Sequence, residues 1–141
     1  MPIFSVRAEL YPTEDTASVR RAVANLFPDS TVTEEGAFLV CHPAEITQLI
    51  ALITGQKTRY AFVEELSRKT EGNGFRILLN KQAALAGRVN IVDEPKPLGS
   101  MEFSGVVDNP VIYFEKLLDI TGYVSSRQEG DSLGRYTQDG E

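Results

Sequence analysis

The sequence predicts an α+β domain: a mainly antiparallel sheet with amphipathic helices packed on one face. Two observations carry that prediction. Several short segments alternate apolar and polar residues, so each strand has one face to bury and one to leave wet. Between them lie segments with apolar residues at helical spacing, bounded by Pro, Gly, Asn and Thr. The 141 residues are one domain's worth and can bury roughly 70% of their unfolded surface without a disulfide or metal.

Residues 3–11 set Phe4, Val6, Ala8 and Leu10 against Ser5, Arg7 and Glu9, a half-buried strand that Pro12 stops. Thr13 is placed to cap a helix whose first turn carries Glu14 and Asp15, the sign the helix dipole favours. Val19, Ala22, Val23, Leu26 and Phe27 mark its buried face, and Pro28 closes it. Residues 31–35 and 37–42 around Gly36 read as a hairpin. Pro43 suits the first position of the next helix, leaving His42 as its cap, with Ile46, Leu49, Ile50 and Ile53 inward. A third helical stretch spans 58–69, with Phe62, Val63 and Leu66 on one side.

After the turn at 71–74, residues 74–80 form a strand with Phe75, Ile77 and Leu79 on one face. Asn80 caps a short helix ended by Gly87, which places Lys81 and Gln82 exposed in its first turn. Residues 88–92 and 101–107 are two further strands, separated by a proline-rich loop at 93–99. Asn109 and Pro110 open the last helix, which Gly122 ends. The domain is expected over 1–122, with 123–141 a flexible polar tail. The order strand–helix–strand–strand–helix occurs at 3–54 and again at 74–121, without any repeat in the residues themselves.

Net charge is −6, which argues against a protein that coats nucleic acid or membrane through bulk positive charge. One cysteine, Cys41, forbids an internal disulfide, and with the single His42 it forbids a Cys/His zinc site. No apolar run approaches the ~20 residues of a membrane span. The expected address is cytoplasmic, with no cofactor and no membrane partner.

Cys41 and His42 resemble a nucleophile and its base. They are adjacent on a strand, so they point to opposite faces; Cys41 shares a face with Leu39 and reads as a core thiol. The pairs Glu34-Glu35, Glu64-Glu65 and Asp93-Glu94 lack metal-loop spacing and read as solvated carboxylates. No phosphate-cradling glycine motif is present.

Charge is unevenly distributed. Residues 68–92 hold Arg68, Lys69, Arg76, Lys81 and Arg88 against Glu71 alone, a net of +4 that leaves −10 for the remainder. Such a segment is either a local anion-facing patch or a set of solvated ends paired with acids elsewhere.

Two blocks carry a family resemblance. They are Pro12-Thr13-Glu14-Asp15 with Asn25-Leu26-Phe27-Pro28, and Leu79-Asn80-Lys81-Gln82-Ala83-Ala84 with Gly87, Val89, Asn90 and Pro97-Leu98-Gly99. In order and spacing they resemble an uncharacterised archaeal family of predicted RNA-binding proteins, departing from it at Tyr11 and across Arg59–Val63. The resemblance implies a fold like that of the 5S RNA-binding ribosomal protein or a double-stranded RNA-binding domain, and a homodimer. Taken together with the +4 segment, it leads to the expectation of a non-enzymatic protein that contacts structured RNA through Lys81, Gln82, Arg76 and Arg88, with Arg68 and Lys69 at the margin. The rival expectation is a protein–protein adaptor with no nucleic-acid role, marked by an exposed apolar patch. A third is an enzyme acting on a small phosphorylated substrate through Lys81.

Overall fold

The computed structural model describes residues 2–93 and 99–124. Most of the proline-rich loop and tail residues 125–141 lie outside the described residues. The chain runs β1 (Ile3–Glu9), α1 (Thr16–Leu26), β2 (Thr33–Glu35), β3 (Phe38–Cys41), α2 (Thr47–Gly55) and α3 (Arg59–Arg68). It continues through β4 (Thr70–Glu71), β5 (Gly74–Asn80), α4 (Lys81–Leu85), β6 (Ile91–Val92), β7 (Ser100–Val106) and α5 (Pro110–Leu117). All strand pairs are antiparallel in one sheet of order β2-β3-β1-β7-β5-β4, with β6 also on β5. This is the α+β architecture expected.

Strand alternation decides which face is covered. Phe4, Val6 and Ala8 on β1, Phe75, Ile77 and Leu79 on β5, and Met101 and Phe103 on β7 are buried. They join Val19, Ala22, Val23 and Leu26 of α1, Leu49 and Ile53 of α2, Phe62, Val63 and Leu66 of α3, and Phe114 of α5 in one core cluster. Phe103 lies at its middle, with ring centroids of Phe75, Phe27 and Phe4 at 5.2, 5.4 and 5.8 Å. Such aromatic pairs add about 0.5–1.5 kcal/mol each beyond the area they bury. The opposite face carries Ser5, Arg7, Arg76, Glu102 and Ser104, and among the described residues it has no buried apolar layer of its own.

The two halves share an element order, β1-α1-β2-β3-α2 and β5-α4-β6-β7-α5. The pairing β1/β3 has its counterpart in β5/β7, but β2 joins β3 whereas β6 joins β5. The last long strand, β7, lies between β1 and β5 and welds the halves into a single sheet.

Several boundaries differ from expectation. Asp15, not Thr13, caps α1, accepting from the Ala17 N–H at 3.3 Å and the Ser18 hydroxyl at 2.9 Å. Residues 11–14 form a turn instead, with Glu14 N–H donating to the Tyr11 carbonyl at 2.9 Å. His42 is exposed and does not cap α2. Pro43 and Ile46 are buried while the chain crosses from sheet to helix layer, so α2 starts only at Thr47. The strand expected over 88–92 is reduced to Ile91–Val92. The cause is Gln56: its side chain donates to the Val89 carbonyl at 2.8 Å and accepts from the Val89 N–H at 2.7 Å, so Val89 has nothing left for a ladder. At the C-terminal end the packed chain continues through Tyr123 to Val124, which is buried. There the buried Glu115 carboxylate accepts from the N–H groups of Gly122 at 3.2 Å and Val124 at 2.6 Å.

Candidate nucleic-acid interface

Lys81 is the largest departure from the sequence-based expectation. Expected exposed, it is 4% exposed. Its ammonium donates to both Glu14 carboxylate oxygens and to the Glu9 carbonyl, each at 2.9 Å, and lies 5.2 Å from the Tyr11 ring centroid. All three ammonium protons therefore have acceptors inside the protein. A signal for this was present in the sequence. Phe75, Ile77 and Leu79 point inward at period two, and Lys81 is the next residue in that series. Only a carboxylate brought from elsewhere makes the inward position tolerable for a charge.

The two motif blocks thus meet in space. The turn around Glu14 supplies the acid and the strand-to-helix junction supplies the base. The Lys81 N–H donates to the Gly99 carbonyl at 2.7 Å and the Asn80 N–H to the Asn90 carbonyl at 2.9 Å. Asn80 caps α4 as expected, accepting from the Ala83 N–H at 2.8 Å. Asn25 of α1 adds bonds to the carbonyls of Ala84 at 2.9 Å and Leu85 at 3.1 Å. These residues fasten α1 and α4 to the sheet. Beside the ion pair lies a groove of about 350 Å³ lined by Thr13, Ser18 and Gln82 among others.

The remaining cations divide between two places. Lys69 ends α3 just before β4, and its carbonyl accepts from the Arg76 N–H at 3.3 Å, which sets the two residues opposite each other. Both line a depression of about 420 Å³ on the helix-free side of the sheet, with Ser5, Ser104, Ile3 and Val106. The side chain of Arg76 is 62% exposed, with Nε 3.8 Å from Glu102. Arg68 donates to the buried Glu65 carboxylate at 2.6 Å, and Lys69 lies 3.8 Å from its other oxygen, which has no hydrogen-bond partner of its own. Arg68 and Lys69 therefore spend part of their charge on Glu65. Gln82 and Arg88 are exposed on and just after α4. The structure brings Lys69 and Arg76 into one depression but places Gln82 at the separate groove beside Lys81.

Cys41 is a buried thiol; burial pushes its pKa up, and a hydrogen bond with Ser30 opposes the rise. Among the described residues, no group of three or more His, Cys, Asp or Glu side chains could hold a metal ion. No described helix is long and apolar enough to cross a membrane.

This sequence and this fold are both shared with known proteins. The model of a family described as RNA binding matches residues 4–99. A UPF0201 protein of Methanosarcina acetivorans is 32% identical over 138 residues, covering 82% of this chain and 84% of that one. A UPF0200/UPF0201 protein of Archaeoglobus fulgidus is 28% identical over 116 residues, covering 81% of this chain, which spans only 35% of that relative's length. The chain belongs to the archaeal UPF0201 family and matches the RNA-binding family model over most of its length. Its fold is that of a crystallised UPF0201 protein (TM-score 0.75, 22% identity, covering 84% of this chain and 94% of that one). The UPF0201 protein of Methanococcus jannaschii agrees, with a TM-score of 0.70 at 23% identity, covering 84% of this chain and 92% of that one.

Proposed function

We propose that this protein is a non-enzymatic, cytoplasmic RNA-binding protein that holds structured RNA on the helix-free face of its sheet, around Lys69 and Arg76 with Arg68 at the margin. The observation that carries the proposal is the juxtaposition of Lys69 and Arg76 over a depression that also offers the Ser5 and Ser104 hydroxyls. Cations suit phosphate, and hydroxyl partners suit the 2′-hydroxyls of an RNA backbone. The description of the matching family supports the same partner. Lys81 is not among the proposed contacts, because its charge is consumed inside the fold. Gln82 and Arg88 remain exposed and form the alternative RNA-facing pair. The homodimer implied by the family resemblance belongs to the proposal too, and light scattering would give twice the 15.6 kDa of one chain.

Filter binding of an RNA hairpin tests the interface. Affinity should fall by about tenfold or more between 50 and 200 mM salt, since neutralising a few phosphates releases a few counterions. Lys69→Gln with Arg76→Gln should weaken binding and lower the salt slope by about 0.7–0.9 for each phosphate that no longer meets a cation. Arg21→Gln with Lys116→Gln removes the same charge from other elements and should matter less. An equal loss from both pairs would leave only a nonspecific charge effect. A loss confined to Gln82→Ala with Arg88→Gln would move the interface to α4.

One observation favours the adaptor reading. Ile3 and Val106 are register partners on the same open face, 64% and 52% exposed. Absence of RNA retention at 50 mM salt would make this apolar pair the centre of a protein interface instead.

A further inference from the structure

Tyr60 is the only aromatic among the exposed large hydrophobic residues of the described chain, at 46% exposure. It lies in the first turn of α3, whose buried apolar residues are Phe62, Val63 and Leu66, so packing does not require a ring at position 60. The ring is nevertheless held in place. Tyr123 stands against it edge to face, with centroids 4.7 Å apart. Tyr123 is itself pinned, its hydroxyl donating to Glu64 at 3.0 Å, while the next residue, Val124, is buried. The Arg59 guanidinium lies 5.7 Å from the Tyr60 centroid, tethered by a bond to the Leu118 carbonyl at 3.0 Å. An exposed ring, a buttressing second ring and an adjacent guanidinium together make a surface that suits a planar, electron-rich or polar heterocycle.

We propose that Tyr60, buttressed by Tyr123 and flanked by Arg59, is a stacking platform for one unpaired RNA base. This deepens the RNA-binding proposal and rests on it. The platform reads a feature that the sheet face does not: backbone contacts at Lys69 and Arg76 accept a duplex, whereas a stacking ring needs a base out of its stack. Tyr60 and Lys69 lie at opposite ends of α3, about 14 Å apart along the axis at 1.5 Å per residue. One hairpin can reach both, its stem on the sheet face and its loop at the platform.

The chain contains no tryptophan, so Tyr60→Trp installs a single fluorescent reporter on the platform itself. The probes are an RNA hairpin with an unpaired loop and a blunt duplex of the same stem sequence. The hairpin should quench the tryptophan saturably and the duplex should not. Tyr60→Ala should weaken hairpin binding by about tenfold or more, in line with the loss of one base–aromatic stack. Its affinity for the duplex should be unchanged, and Tyr60→Phe should bind as the unmodified protein does. Far-ultraviolet circular dichroism of each variant checks that the fold survives, as an exposed position predicts. A hairpin that binds by anisotropy yet leaves the tryptophan unquenched overturns the platform, as does unchanged affinity in Tyr60→Ala. Saturable quenching that persists in Lys69→Gln with Arg76→Gln, at unchanged affinity, upholds the platform and overturns the sheet-face interface. If neither RNA binds at 50 mM salt, both proposals fall.

Discussion

Replacing Lys81 by methionine removes the charge and keeps an unbranched chain of similar reach. It leaves the Glu14 carboxylate, whose side chain is 15% exposed, without its counterion, and the Glu9 carbonyl without that donor. Removing one member of a buried pair costs about 3–5 kcal/mol. Glu14 retains a little solvent and the Tyr11 N–H at 3.1 Å, so the low end applies, about 3 kcal/mol. For a domain of this size that is a fall in Tm of roughly 10 °C. Urea unfolding followed by circular dichroism measures it directly, and Glu14→Gln with the double variant completes a thermodynamic cycle. The double variant should cost less than the two single losses added together, by about 1 kcal/mol or more, because each single change leaves the other partner stranded. A Lys81→Met protein within about 0.5 kcal/mol of the parent, the range of ordinary surface changes, would show that the ion pair does not hold the motif blocks together. So would strict additivity. Lys81→Glu should be worse still, since it buries like charges side by side.

Three further outcomes are expected. Asn80→Ala removes the acceptor for the Ala83 N–H and should cost about 1 kcal/mol in the same unfolding assay, whereas Asn80→Ser should restore most of it. Gly105→Ala should lower stability by several kcal/mol or prevent soluble expression; its Cβ would stand 2.5 Å from the Ile3 carbonyl oxygen and 2.9 Å from the Phe75 ring. Burial raises the Cys41 thiol from its ordinary value of 9.0. The folded chain therefore holds that proton more tightly than the unfolded one, and its contribution to stability is intact below pH 9 and lost as pH rises further. Thiol labelling at pH 8 should be slow in the native protein and fast in urea; rapid native labelling would contradict the burial.

The sequence by itself determined what is written in residues close to one another. Alternation along 3–9 and 74–80 sets which strand face is apolar, and helical spacing at Val19–Leu26 sets the buried stripe of α1. Asn80 and Asn109 announce two helix starts because a cap acts on N–H groups two or three residues away. The tertiary structure decided whatever depends on partners distant in the chain. Glu14 and Lys81 are separated by 67 residues and Gln56 and Val89 by 33. The first pairing converts an expected surface lysine into an internal tie, and the second takes Val89 out of the sheet. The inward register of Lys81 is readable from Phe75, Ile77 and Leu79, but neither distant partner is, because a charge or amide that finds its complement across the fold looks the same in sequence as one facing water. The net charge of residues 68–92 is legible in the same way, but which of its charges reach the surface is not, for the same reason. Folding turned Lys81 inward onto Glu14, engaged Arg68 and Lys69 with Glu65, and left Arg76 and Arg88 outward. Electrostatic patches are properties of surfaces, and only three-dimensional pairing decides which charges reach one.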